Sequence, residues 1–157
     1  MFSGAAGFVG AGILTAMVGD VVMQVVAAAV VDQGRLLVVS KKAAPDTFYL
    51  PGGKPEDGES PEDTLVRELN EELGVAPRDM ALFCEVEDMA ALEGVPMRMT
   101  VFTARLVGRP EPAAELAALG WTDGRDGYES RLAPAVRNHV LPLLARVGAL
   151  TRGLHEI

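Results

Sequence analysis

Cysteine is almost missing: Cys84 stands alone among 157 residues, so no disulfide can form within the chain. A scaffold without bridges suits a reducing compartment, and a cytoplasmic location is expected. Histidine is scarce too. His139 and His155 are the two present, with neither metal-ligand spacing nor a serine and aspartate arrangement that would make a nucleophilic triad. Positive charge is in the minority, 14 Lys and Arg against 22 Asp and Glu, for a formal net charge of -8. No basic cluster interrupts that balance, which argues against nucleic acid as a partner, because phosphate backbones are bound by grouped Lys and Arg. Aromatic residues make up 5% of the chain. Phe48, Tyr49, Phe83, Phe102 and Trp121 are candidates for stacking on a base, although most aromatics in a small domain belong to its core.

The opening stretch has no charge at all. Met1 to Gly19 is rich in Gly and Ala, but it lacks the positive segment of a signal peptide, and its glycines disfavour a spanning helix. An extension over residues 1–20 followed by one domain over 21–157 is the expected organisation, without a membrane partner. Gly4, Gly7 and Gly10 form a G-x-x-G-x-x-G resembling the phosphate loop of nucleotide-sugar epimerases. Such a loop must follow a strand, and only Met1 to Ser3 precede this one.

What is present reads as a single α/β domain. Val21 to Val31 is nearly all apolar, as in a strand covered on both faces, and Asp32, Gln33 and Gly34 turn the chain so that Leu36 to Val39 returns beside it. Lys41 to Thr47 reads as loop and Phe48 to Leu50 as a short strand, ended by Pro51, Gly52 and Gly53. Ser60 then offers an N-cap and Pro61 a first helical position, so a helix is predicted from Pro61 to Leu73 with Gly74 as its stop. Leu82, Cys84 and Val86 alternate like a half-buried strand, with Cys84 in the core rather than acting as a nucleophile. Met97 to Val107 predicts a long strand pairing back across a turn near Gly94. Gly108 to Arg131 reads mostly as loop. Pro134 to Leu150 reads as a helix with an apolar stripe of Val136, Val140, Leu143 and Val147, kinked by Pro142.

The helix from Pro61 carries the chemistry. Turns of 100° put Leu65, Val66, Leu69 and Leu73 on one face and Glu68, Glu71 and Glu72 on the other. Like charges at these spacings cost a few tenths of a kcal/mol per pair, and anions in a last turn oppose the helix dipole. Helix stability therefore does not account for them. Hard carboxylate oxygens are what Mg²⁺ or Mn²⁺ prefers, and such an ion can bridge carboxylates to substrate phosphates. The acidity of the whole chain is compatible with a polyphosphate ligand if a cation stands between.

Gly53, Glu59, Arg67, Glu68, Leu69, Glu71, Glu72, Gly74 and Val75 fill every fixed position of G-x5-E-x7-R-E-U-x-E-E-x-G-U. The run resembles the Nudix box of the MutT-like pyrophosphohydrolases, and Leu50 to Lys54 resembles the usual entry into it. Weaker likeness extends from Val25 to about Asp123. The resemblance implies an α/β/α sandwich with a mixed sheet and a loop-helix-loop metal site. It implies that Glu68, Glu71 and Glu72 hold Mg²⁺ or Mn²⁺, helped by Glu59 and the Gly53 carbonyl. Arg67 would orient a carboxylate, and it could pair with Glu59 if the loop folds back. The activity implied is metal-assisted hydrolysis of a phosphoanhydride, in which a carboxylate of the box or Glu115 takes the proton.

Lys41, Lys42, Lys54, Tyr49, Glu115 and Trp121 are the candidates for meeting the rest of the substrate, a small-molecule nucleotide. Trp121 with Asp123 faintly resembles the base-reading W-x-D of oxidised-purine triphosphatases. A nucleoside triphosphate, oxidised forms included, is the leading expectation. ADP-ribose, a nucleotide sugar or a dinucleotide comes second. A silent, ligand-binding regulator of the same fold is the alternative from another class, and the complete carboxylate set speaks against it. The sequence leaves a homodimer open.

Overall fold

The computed structural model describes residues 22–150. The glycine motif of the N-terminal extension and His155 fall outside the described residues.

The continuous apolar run beginning near residue 21 becomes strand β1, Met23–Ala29, followed after Val30 by the short β2, Val31–Asp32. Gln33 and Gly34, both at positive φ (52° and 76°), make the tight turn into β3, Arg35–Lys41. The expected hairpin therefore exists, but only β2 pairs with β3, through Val31 with Leu36 and Asp32 with Arg35. β1 and β3 part into different sheets. β1 runs parallel to β7, Pro96–Val107, and is flanked on its other edge by β5, Gly52–Gly53. β6, Ala76–Met89, closes that mixed sheet in the order β5-β1-β7-β6. β3 is the centre of the other sheet, with β2 and β4, Ala44–Tyr49, on one edge and β8, Leu116–Thr122, on the other.

Both β1 and β3 alternate between two cores, which is why their sequences show no polar face. Ala27, Ala29, Leu36 and Val38 pack on the side of the C-terminal helix. Val26, Ala28, Leu37 and Val39 pack on the side of α1, Pro61–Leu73, which contributes the fully buried Leu65, Leu69 and Leu73. The layers are thus helix, strands, helix, as expected for the fold class.

Four expectations are corrected. Lys41 to Thr47 is not loop, because β4 begins at Ala44 and only Lys42 and Ala43 turn. Gly108 to Arg131 contains β8, an alanine-rich strand whose propensity is weak but whose ladder to β3 runs from Leu36–Thr122 to Lys41–Leu116. Leu82 is 62% exposed, because a bulge between Leu82 and Cys84 breaks the alternation and leaves Phe83 and Cys84 packed on the core. The final helix is buried through Val136, Val140, Leu141 and Leu144 rather than Leu143 and Val147. A π turn over Val136–Val140 precedes the short α2, Leu141–Arg146, and its extra residue shifts the stripe. Pro142, which has no N–H to donate backwards, falls in the first turn of α2, where none is needed.

The helix that carries the box has the bounds its caps predict but not the expected faces: Val66 is 43% exposed and Glu72 only 4%, because Glu72 lies about 20° around the helix from Leu65. Ser60 Oγ accepts the Asp63 amide at 3.0 Å, and Gly74 closes the other end in the left-handed conformation. Ser60→Ala is expected to cost about 1 kcal/mol, and Ser60→Asp to cost much less, as read by urea unfolding of the two variants.

Candidate active site

The helix and the loop before it are held together chiefly by Arg67. Arg67 Nε donates to Glu59 Oε2 at 2.7 Å and its Nη2 to Glu59 Oε1 at 2.9 Å, a two-pronged grip on the carboxylate. Its Nη1 reaches Glu68 Oε2 at 2.9 Å and lies 3.6 Å from Glu71 Oε1, and Nη2 also donates to the Lys54 carbonyl at 3.1 Å. The Arg67–Glu59 pair expected from a folded-back loop is present. Glu59 also accepts from the Glu56 amide and the Thr64 hydroxyl. The hydrogen bonds from Arg67, and secondarily from Glu56, pull its carboxyl down to about 2.

Gly52 and Gly53 allow the sheet to approach this helix. Gly52 has φ of 149°, and a Cβ there would stand 2.7 Å from Ala27 Cα. At Gly53 the intruder would meet the Glu68 carboxyl. With the space left open, the Gly52 amide donates to Glu72 Oε1 at 3.2 Å, and Glu72 is only 4% exposed.

The far end of the cluster is brought in by a loop whose role is topological. The amides of Glu111 and Ala113 donate to the carbonyls of Leu73 and Glu72 at the end of α1, and the Glu115 carbonyl accepts the Lys42 amide at 2.9 Å. Glu115 is thereby set beside Lys41, with 3.5 Å between carboxylate and ammonium. Lys41 Nζ also lies 5.9 Å from the centre of the Tyr49 ring, whose hydroxyl is buried without a hydrogen-bond partner.

A cavity of about 450 Å³ opens at this corner. Gly53, Lys54, Arg67, Glu68, Tyr49, Glu115 and Lys41 line it, together with a wall of methionines, Met23, Met89, Met97 and Met99. Among the predicted substrate contacts, Lys54, Tyr49 and Glu115 reach the cavity. Trp121 does not: on β8 it packs against the core under α1. Glu71 is exposed on the helix, and Glu72 lies off the cavity wall, against Gly52. Among the described residues, no three acidic, histidine or cysteine side chains already meet as an ion cage. The positive charges set among these carboxylates are those of Arg67 and Lys41. The methionine wall was not anticipated, since methionines scattered between β1 and β7 carry no local pattern that separates a cavity from a core.

The family model described as NUDIX domain matches residues 22–143. A Mycobacterium tuberculosis H37Rv protein, described provisionally as 8-oxo-dGTP diphosphatase 2, is 29% identical over 137 residues, covering 85% of this chain and 96% of its own. The crystal structure of a MutT NUDIX hydrolase from Burkholderia pseudomallei is 33% identical with a TM-score of 0.58, over 66% of this chain and 84% of that one. The solution structure of the Escherichia coli ORF135 protein is 28% identical with a TM-score of 0.63, over 86% and 94%.

The carboxylates differ in charge state. Burial, reinforced by Glu68 and Glu115, pushes Glu72 up to about 8, against the pull of the Gly52 amide and Lys41. Burial also raises Glu68, opposed by its bond to Arg67. Because the Glu72 carboxyl titrates higher in the folded than in the unfolded chain, its contribution to stability is full below the ordinary carboxyl range and is lost as pH rises towards 8. Metal-free protein should therefore lose stability across that window, and Glu72→Gln should flatten the decline. Denaturant midpoints measured from pH 5 to 8.5 decide this, and equal slopes for both proteins would contradict it.

Proposed function

The chain belongs to the Nudix hydrolase family, and from that premise we propose that it hydrolyses a phosphoanhydride bond in a nucleoside triphosphate, oxidised forms included, with Mg²⁺ or Mn²⁺ as cofactor. One observation carries the reading: of the box carboxylates, Glu68 alone lines the cavity, which Gly53, Arg67 and Glu115 line with it. The name of the mycobacterial relative supports the choice of substrate.

The donor set fits a hard divalent cation. The charges of Glu71 and Glu115 add to the cost that burial sets on ionising Glu68, and those of Glu68 and Glu115 do the same for Glu72, which is repulsion that a cation relieves. Glu68, Glu71, Glu72 and the Gly53 carbonyl are the groups that would hold the ion, which when bound supplies charge neutralisation of the diphosphate and a more acidic water.

The protein's own residues do the rest. Arg67 fixes the rotamer of Glu68 through its 2.9 Å bond and keeps Glu59 ionised against the loop. Glu68, facing the cavity, accepts the proton of the attacking water. Lys41 and Lys54, which also line the cavity, offset the charge of the phosphates. The methionine wall takes the nucleoside, since unbranched thioether chains adapt to a flat heterocycle.

Purified protein given a panel of nucleoside triphosphates, ADP-ribose and dinucleotides with Mg²⁺ or Mn²⁺ should release products from the triphosphates. Glu72→Gln should keep its fold by circular dichroism and lose turnover by orders of magnitude. Undiminished hydrolysis in that variant, or in the presence of chelator, would remove the mechanism.

A further inference from the structure

Part of the cavity wall is assembled from segments far apart in sequence. Met89 ends β6, Leu92 and Glu93 come from the turn that joins it to β7, and Ala135 and Val136 come from the start of the C-terminal helical segment. Between them stands Asp88, the next-to-last residue of β6. Its Oδ1 accepts the amide of Met89 at 2.7 Å. Its Oδ2 accepts from Asn138 Nδ2 at 3.1 Å and lies 3.2 Å from His139 Nε2.

Both oxygens are therefore employed, one on the turn and one on the helix, across 50 residues of sequence. Asn138 and His139 belong to the π turn, an irregularity that recurs at functional sites. The Asp88 side chain is 19% exposed, so its hydrogen bonds are partly shielded from water. The turn is itself compact: the Ala90 amide donates to the Val95 carbonyl at 2.9 Å and the Gly94 amide to the Ala90 carbonyl at 2.8 Å. Its apolar side chains Leu92 and Val95 are exposed, as is Met89 at the end of β6.

We propose that Asp88, gripped by Asn138 and His139, is a positioning latch that holds the 89–95 turn against the cavity and so sets affinity for the group attached to the diphosphate. The proposal rests on the reading that this cavity receives the nucleoside. None of the three residues lines the cavity, so the latch acts on binding and leaves the reacting atoms untouched.

The test uses the Asn138→Ala/His139→Ala double variant, which alters surface positions only, and His139→Gln, which keeps a donor at that place. Amide hydrogen exchange at Ala90 and Gly94 needs no substrate and should accelerate several-fold in the double variant, with the melting temperature of the whole protein little changed. On the triphosphate best hydrolysed by the wild type, KM should rise about tenfold, the scale of one charge-assisted hydrogen bond, with kcat within about twofold. His139→Gln should fall between the two. Unaltered exchange at Ala90 and Gly94, or a loss confined to kcat, overturns the latch. A wild-type protein that hydrolyses no nucleotide refutes the functional reading instead, and the exchange comparison then decides by itself whether Asp88 holds the turn.

Discussion

A guanidinium placed between carboxylates governs the geometry of this site. Arg67 emerges from the middle of a helix whose apolar face is locked by Leu65, Leu69 and Leu73, so its root cannot shift. From that root it holds Glu59 by two prongs, Glu68 by another and the Lys54 carbonyl besides. The loop from Gly53 to Ser60 has little apolar content of its own to bury, and this fan of charge-assisted bonds is what gives it a shape. A lysine, with one compact charge, could not satisfy the same set of acceptors. Because the Arg67 side chain is 22% exposed and that of Glu59 18%, the pair is partly desolvated and stronger than an open surface bridge.

Around this fixed point the protein concentrates negative charge that its own packing disfavours. Glu72 is buried against Gly52, Glu68 sits where a side chain at Gly53 would lie, and Glu115 is brought across by a loop docked on the end of α1. None of this favours folding. Anions in the last turn oppose the helix dipole, and a desolvated carboxyl resists ionising. Sites where charge is costly to the fold are commonly those where it serves a ligand. In the function proposed above, that ligand is a cation with a diphosphate behind it.

The rest of the cavity follows a different logic. Its methionine wall is drawn from β1, β6 and β7, and in the function proposed above it receives the organic group while the lysines meet the phosphates. Asp88 joins that wall to the C-terminal helix through the π turn created ahead of Pro142. An irregular turn in the helix and a tight turn in the sheet thus meet at one carboxylate.

Local physics was enough to read much of this from the chain. The bounds of α1, the Arg67–Glu59 pair and the two-sided burial of β1 follow from caps, patterning and charge within a few turns of backbone, whereas the expected carboxylate face does not survive, since Glu72 is buried beside the leucines and Val66 is exposed. β8 was illegible because Leu116 to Thr122 owes its strand form to a ladder with β3, some 80 residues away, rather than to its own alanines and glycine. The bulge that exposes Leu82 and the π turn that redirects the last helix are one-residue slips in a period, and a period cannot announce where it will slip. The closeness of Glu115 to Glu72, the distance of Trp121 from the cavity and the grip of Asn138 on Asp88 were decided by tertiary structure alone. Each depends on which elements lie side by side once two cores have formed, and no spacing along the chain encodes that directly.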